Sequence, residues 1–204
     1  MFSHIVSFFK QSPPRARSLP SDSAKYVQNG RAVQKLPSKA VTLAFIDIDS
    51  LLQSQVRGVI LDLDNTVVSE DDRYLCPHAE KWIEAAKHAG LKFYILSNGK
   101  RRYRVRYWSA RLDMPAINPA RKPFPFAFRQ AFKHMQLKPE QVVVIGDSFH
   151  TDVLGALWNG CRSIQVASLP HKPRWWERLL GRYIQTPYPA EFELWNFDPS
   201  SYSN

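Results

Sequence analysis

Short apolar runs alternate with amphipathic stretches through the middle of the chain. Gly58 opens the run Val59-Ile60-Leu61, which reads as a buried strand. From Cys76 to His88 the apolar residues Trp82, Ile83 and Ala86 recur at helical spacing. Gly90 follows as a stop signal, and Leu91 to Leu96 reads as a second strand. A basic helix is predicted from Lys100 to Leu112, then a Pro-rich loop, then a helix from Pro125 to Gln136. Val142 to Ile145 is the third strand, Asp152 to Asn159 a further helix and Ser163 to Ala167 a further strand. This alternation predicts an α/β fold of the Rossmann-like kind: a three-layer sandwich whose mainly parallel central sheet carries helices on both faces.

Composition fits that picture. Hydrophobic residues make up 44% of the 204 positions and charged residues 23%, as in a folded globular chain. One domain is expected over residues 41–186, with a leader and linker over 1–40 and a C-terminal tail over 187–204. The first twenty residues hold no Asp or Glu but do hold Phe2, Phe8, Phe9, Lys10, Arg15 and Arg17. They read as a disordered leader, an organelle transit segment or a surface-binding arm. Pro, Ser and Arg then dominate from Gln11 to Ser23, as in a linker. Every apolar run falls far short of the roughly 20 residues that span a bilayer, so no transmembrane helix is expected. Cys76 and Cys161 lack metal-ligand spacing and fit a reducing compartment, cytoplasmic or organelle interior. Lys and Arg total 28 against 18 acidic residues, a formal charge of +10, which favours anionic partners without choosing among phospholipid surfaces, nucleic acids and phosphorylated substrates.

In an open parallel sheet ligands sit at the carboxyl ends of the strands, so the residues just past each strand belong together. They are Asp62-Leu63-Asp64-Asn65-Thr66, then Ser97-Asn98-Gly99, then Lys122-Pro123 ahead of the third strand, then Gly146-Asp147-Ser148 with Thr151-Asp152 beyond. Asp62 and Asp64, two apart in extended chain, are expected to point to one side and to repel unless a cation relieves the charge. Asp147 adds a third carboxylate from another strand, and an all-oxygen donor set suits Mg²⁺. Asp47-Ile48-Asp49 fits the same minimal spacing but lacks the Asn and Thr that follow Asp64.

These four segments, in this order, resemble the signature motifs of the haloacid dehalogenase (HAD) superfamily. The resemblance implies a Mg²⁺-dependent phosphatase in which Asp62 attacks phosphorus and forms an aspartyl-phosphate, while Asp64 serves as general acid and then base. It implies that Thr66, Ser97, Asn98 and Lys122 bind the substrate phosphate. It also implies that the metal is held by Asp62, by the main-chain carbonyl of Asp64 and by Asp147, with Asp152 orienting the lysine or a metal-bound water. Phe45-Ile46-Asp47-Ile48, Ala120-Arg121-Lys122-Pro123 and Thr151-Asp152-Val153-Leu154-Gly155 carry a narrower resemblance, from about Phe45 to Ile184, to the YqeG family, related to the fungal mitochondrial phosphatidylglycerophosphatase. That likeness implies subclass IIIA, a site with no cap domain, and phosphatidylglycerophosphate as substrate in phospholipid biosynthesis.

Two further stretches bear on partners. Pro173 to Ile184 sets Trp175, Trp176, Leu179, Leu180, Tyr183 and Ile184 on one helical face and Arg174, Arg178 and Arg182 towards the other. This is the pattern of an interfacial helix in peripheral contact with a membrane, and equally of a terminal helix packed on the sheet. Lys100, Arg101, Arg102, Arg104 and Arg106 form a basic cluster beside the expected phosphate site, or a solvated face. Tyr103, Tyr107 and Trp108 among those arginines admit base stacking, so nucleic-acid ends or a phosphoprotein rank behind an anionic phospholipid as substrate. A non-catalytic basic binding module is the alternative from another class. Oligomeric state is not written in the sequence.

Overall fold

The computed structural model describes residues 25–28, 31–34, 36–173 and 175–203. In chain order the strands are β1 (Lys25–Gln28), β2 (Arg31–Gln34), β3 (Lys39–Ala40), β4 (Gly58–Leu61), β5 (Tyr74–Leu75), β6 (Lys92–Leu96), β7 (Ala116–Ile117), β8 (Val142–Gly146), β9 (Arg162–Ser168), β10 (Thr186–Pro187) and β11 (Trp195–Asn196). The α-helices are α1 (Ile48–Gln53), α2 (Ala79–His88), α3 (Arg102–Arg111), α4 (Pro125–Met135), α5 (Leu154–Trp158) and α6 (Trp175–Ile184). Seven strands form one sheet in the order β10-β9-β8-β4-β6-β7, with β3 added beside β10 on the outer edge of β9. All of its pairings are parallel.

Alternation along the central strands builds two cores. Val59, Leu61, Phe93, Ile95, Val143 and Ile145 face α2 and α3, where Trp82, Ile83, Val105 and Trp108 cover them. Ile60, Tyr94, Leu96, Val142 and Val144 face α4 and α5, meeting Ala127, Phe128, Ala131, Met135 and Ala156. The three-layer α/β sandwich expected from the sequence is therefore the fold of the chain. Among the described residues no domain is inserted between β4 and β6 or between β6 and β8, which are bridged by β5 with α2 and by α3, β7 and α4.

Several local expectations need correction. The helix expected over Asp152 to Asn159 begins as a wide turn over Phe149–Val153, in which the amides of Asp152 and Val153 both donate to the Ser148 carbonyl, and only then becomes α5. Such π-type turns re-aim side chains, and this one turns Asp152 back beneath the end of β8. Within the expected C-terminal tail, Tyr188, Leu194, Phe197 and Tyr202 pack on the α2/α3 core, and β11 pairs antiparallel with β5. The Tyr202 hydroxyl donates to Asp72 at 2.7 Å and accepts from the Trp108 indole at 3.1 Å. Trp108 is thus fully buried and Tyr107 packs against Tyr202, so neither is placed to stack on bases. Residues 25–28 and 31–34, inside the expected leader, pair as antiparallel strands, whereas residues 1–24 lie outside the described residues. Asp47 of the rejected Asp-x-Asp pair caps α1, accepting from the Ser50 amide at 2.8 Å.

Trp108 is the largest side chain with no exposure. Trp108→Ala is expected to cost about 3–5 kcal/mol in urea unfolding, whereas Phe126→Ala, on the solvent side of α4, is expected to stay within about 0.5 kcal/mol of the parent.

Candidate active site

Strand register brings the motif residues to one rim. Leu61 is level with Ile95 of β6 on one side and Ile145 of β8 on the other. Asp62 follows at the next step, its amide bonded to the Ile145 carbonyl at 2.9 Å, while Ser97 and Asp147 leave their strands just beyond. β4 lies between strands reached by crossovers in opposite directions, so this rim is a topological switch point, where a crevice opens in such sheets.

At its centre Lys122 Nζ stands 2.6 Å from Asp62 Oδ1 and 2.7 Å from Asp152 Oδ1. All three side chains are buried, and so is Asp147. Carboxylate oxygens of Asp62, Asp147 and Asp152 lie within 4.8 Å of one another. Asp62 Oδ1 also accepts from the Leu63 amide at 2.8 Å. Asp152 Oδ2 accepts from the Ser148 amide and the Thr151 hydroxyl, both at 3.2 Å. Asp147 Oδ2 accepts from the Gln185 amide at 2.8 Å. Gly146 makes the approach of Asp152 feasible, because a Cβ there would collide with the Asp152 carboxyl group.

Three buried carboxylates therefore share one ammonium, and the charges show it. Burial lifts Asp62 well above the usual carboxylate range; Lys122 pulls it down, but Asp152, Asp64 and Asp147 push the same way as burial. Burial, then Asp152, pushes Asp147 up to about 7. Burial alone would lower the Lys122 ammonium, yet Asp152 and Asp62 beside it hold it above its ordinary value.

Asp64 departs from the spacing argument. Its carboxylate does not join the cluster with Asp62; Ser97 Oγ donates to it at 2.8 Å and the Arg104 guanidinium pairs with it. Its charge is met by the Arg104 guanidinium of α3, which leaves its main-chain carbonyl as the atom that the family likeness assigns to the metal. The Ser97 hydroxyl proton goes to Asp64, and the same oxygen accepts from the Gly99 amide at 3.0 Å. The Asn98 side chain clamps the Lys122 main chain, donating to its carbonyl at 3.0 Å and accepting from its amide at 2.9 Å. Thr66 is buried, its hydroxyl meets no partner among the described residues, and it does not line the cavity. Asn65, between them, takes a left-handed backbone (φ 57°), a conformation that Asn tolerates better than most side chains.

A cavity of about 150 Å³ opens over Asp62, Lys122 and Asp147, and Asp64, Asn98 and Gly99 join it to a neighbouring one of about 470 Å³ lined by Lys100 and Arg101. Sequence reasoning missed Gln185 and Glu177, which α6 and its end bring to the smaller cavity, and it read Arg104 as part of an exposed cluster. Arg104 is buried, paired with Asp64 and Asp72 and donating to the carbonyls of Val68 and Ser69. One signal was available: Arg104 shares a helical face with Val105, Trp108 and Leu112, all buried. Gln185 had none, because its partner lies far away in sequence.

Comparison with known proteins agrees with this geometry. A family model described as HAD-hydrolase-like matches residues 119–184. "Probable phosphatase YqeG" of Bacillus subtilis is 43% identical over 132 residues, covering 64% of this chain and 76% of that protein. Among solved structures, an uncharacterized protein from Listeria monocytogenes aligns with a TM-score of 0.47 at 20% identity, over 58% of this chain and 84% of its own. A HAD phosphatase from Thermococcus onnurineus aligns with a TM-score of 0.42 at 21% identity, over 52% and 58%. With an ordered set of rim residues and a relative of this identity and coverage, the chain belongs to the haloacid dehalogenase superfamily, in the YqeG-like family.

Proposed function

We propose that this protein is a Mg²⁺-dependent phosphatase that hydrolyses the phosphomonoester of an anionic phospholipid, with phosphatidylglycerophosphate as substrate and phosphatidylglycerol as product. The observation that carries the chemistry is the buried Asp62 carboxylate held on Lys122 at the floor of the cavity. Asp62 attacks phosphorus, so that an Asp62 oxygen–phosphorus bond forms as the bond to the leaving oxygen breaks. Asp64 gives that oxygen a proton, then takes one from the water that cleaves the aspartyl-phosphate. The Lys122 ammonium offsets charge on the phosphoryl oxygens, where phosphoryl transfer gains most from electrostatics.

The donor set fits a hard divalent cation. Three buried carboxylates face one ammonium, all candidate ligand atoms are oxygen, and burial disfavours their remaining ionised together without more positive charge. Asp62 and Asp147 would hold the ion together with the Asp64 carbonyl, while Asp152 keeps Lys122 in place. Bound there, Mg²⁺ supplies charge compensation between an anionic nucleophile and an anionic phosphate. The lipid reading is supported by the family likeness, by the uncapped site, and by α6, which exposes Leu179, Leu180 and Tyr183 beside it. Trp175, Trp176, Arg174 and Arg182, which completed the interfacial pattern in the sequence, have side chains outside the described residues. No helix among the described residues is long and apolar enough to cross a membrane.

Purified protein with Mg²⁺ is expected to release phosphate from phosphatidylglycerophosphate in mixed micelles faster than from nucleotide ends or phosphopeptides, and Asp62→Asn to release none. Preference for a nucleic-acid end would remove the lipid assignment and keep the chemistry. In chelator-treated protein Asp147 holds its proton more tightly folded than unfolded. Its contribution to stability is therefore complete below about pH 4 and is lost as pH rises through about 7. Thermal unfolding should show that fall, Mg²⁺ should reverse it at the upper end, and Asp147→Asn should show a smaller fall, the rest coming from Asp62, which burial also raises. Lys122→Met, which strands Asp62 and Asp152 without their ammonium, is expected to cost about 3–5 kcal/mol in the chelated protein and less with Mg²⁺ present, measured by urea unfolding.

A further inference from the structure

The start of α4, just past Lys122, and the end of α5 carry an apolar surface that the chemistry does not use. Phe124, two residues past Lys122, is 61% exposed, Phe126 70%, Leu157 72% and Trp158 56%. They come from two elements and meet in one place, with the rings of Phe124 and Trp158 6.4 Å apart. Packing explains the meeting. α4 buries Ala127, Phe128 and Ala131, which turns Phe126 outward, and Gly155 lets α5 approach so closely that a Cβ there would lie 2.6 Å from Phe128 Cζ and 3.4 Å from Pro123 Cα. α5 is thereby held against the start of α4, and its last residues, Leu157 and Trp158, stay in solvent.

Exposed charge in this part of the chain is mostly positive. Between residues 119 and 161 the exposed charges are Arg121, Arg129, Lys133 and Lys138 against Glu140, since Lys122, Asp147 and Asp152 are buried in the site. Arg129 and Lys133 fall on the Phe126 face of α4, three and seven residues on. Aromatic side chains ringed by Arg and Lys match the boundary of an anionic bilayer, where rings sit at headgroup depth and cations meet lipid phosphate. α6 likewise exposes Leu179, Leu180 and Tyr183 while its Glu177 lines the catalytic cavity. One apolar surface thus begins two residues from Lys122, and the other is carried by a helix that reaches the same cavity.

We propose that Phe124, Phe126, Leu157 and Trp158 form a second bilayer contact, which together with α6 seats the protein on an anionic membrane with the catalytic mouth turned to the headgroups. This rests on the lipid-substrate reading and adds to it a docking surface and an orientation. Two separated contacts fix the tilt of a body on a plane, which one helix alone leaves free to roll.

The test is flotation of full-length protein with phosphatidylcholine vesicles made with and without phosphatidylglycerol, comparing wild type with Phe126→Ser/Trp158→Ser. Wild type should float with the anionic vesicles, and the double variant should lose about tenfold or more of that binding, as expected for withdrawing two aromatic side chains from an interface. Its turnover of soluble p-nitrophenyl phosphate and its thermal unfolding should match wild type, while its hydrolysis of vesicle-borne phosphatidylglycerophosphate falls in step with binding. The surface is not a membrane contact if the double variant floats like wild type, or if wild type does not float. The same holds if wild type is a dimer by size exclusion and the variant a monomer, which would assign the surface to a second copy of the chain. Failure of wild type to hydrolyse any phosphomonoester would strike the phosphatase reading alone, because flotation is scored independently of turnover.

Discussion

One buried ammonium organises this molecule's chemistry. Lys122 holds Asp62 and Asp152 at hydrogen-bond distance where water is largely excluded, and a third carboxylate, Asp147, lies within reach of both. Such a cluster survives folding only if each member is held by something else as well, since removing carboxylates from water is costly. Each is held. The Lys122 main chain is clamped by the Asn98 amide, Asp152 by the Ser148 amide and the Thr151 hydroxyl, Asp147 by Gln185 and Asp62 by the Leu63 amide. The switch point of the sheet brings the strand ends together, and the side-chain bonds then set the spacing.

Much of this was legible in the sequence because it is local. The unbroken apolar runs Val59-Ile60-Leu61 and Val142 to Ile145 are the physical record of a sheet buried on both faces, and the polar residues just past those runs had to emerge at one rim. The positions of Asp62, Ser97 and Asp147 follow from that alone. What was hidden was pairing between elements distant in the chain. No pattern near Asp64 announces that Arg104, forty positions on, will take its carboxylate. Likewise nothing near Tyr202 announces that its hydroxyl will bind Asp72, itself bonded to Arg104. The apolar residues past residue 187 are sparse in the sequence and lack a period, because they pack one by one against the α2/α3 core rather than along a stripe.

Among the described residues no inserted domain closes over the site, which gives the surrounding surface a larger role. The walls of the mouth are the start of α3, the wide turn after β8, the start of α4, and α6. Each carries exposed cationic or apolar side chains: Lys100 and Arg102, Phe149, Phe124 and Phe126, Leu179 and Leu180. A small soluble substrate finds little enclosure there, because cavities of about 150 and 470 Å³ that run together leave much of a ligand exposed. A substrate already confined to a surface needs less enclosure, since the surface itself supplies position and excludes water from part of the opening.

α6 ties that surface to the chemistry. Its outer side bears Leu179, Leu180 and Tyr183, its inner side brings Glu177 to the cavity, and Gln185, the residue after its end, holds the Asp147 carboxylate. The Gln165 amide donates both to the Ile184 carbonyl and to the Asp147 carbonyl, so the end of the helix and the end of β8 are stitched by the same side chain. A displacement of α6 therefore strains hydrogen bonds at Asp147, and in a packed, hydrogen-bonded site a shift of one ligand is felt by the others. α6, the helix proposed to meet a membrane, is joined to Asp147 of the cluster by two side chains, Gln185 at its carboxylate and Gln165 at its carbonyl, so under that proposal docking and the geometry of the site share a single mechanical path.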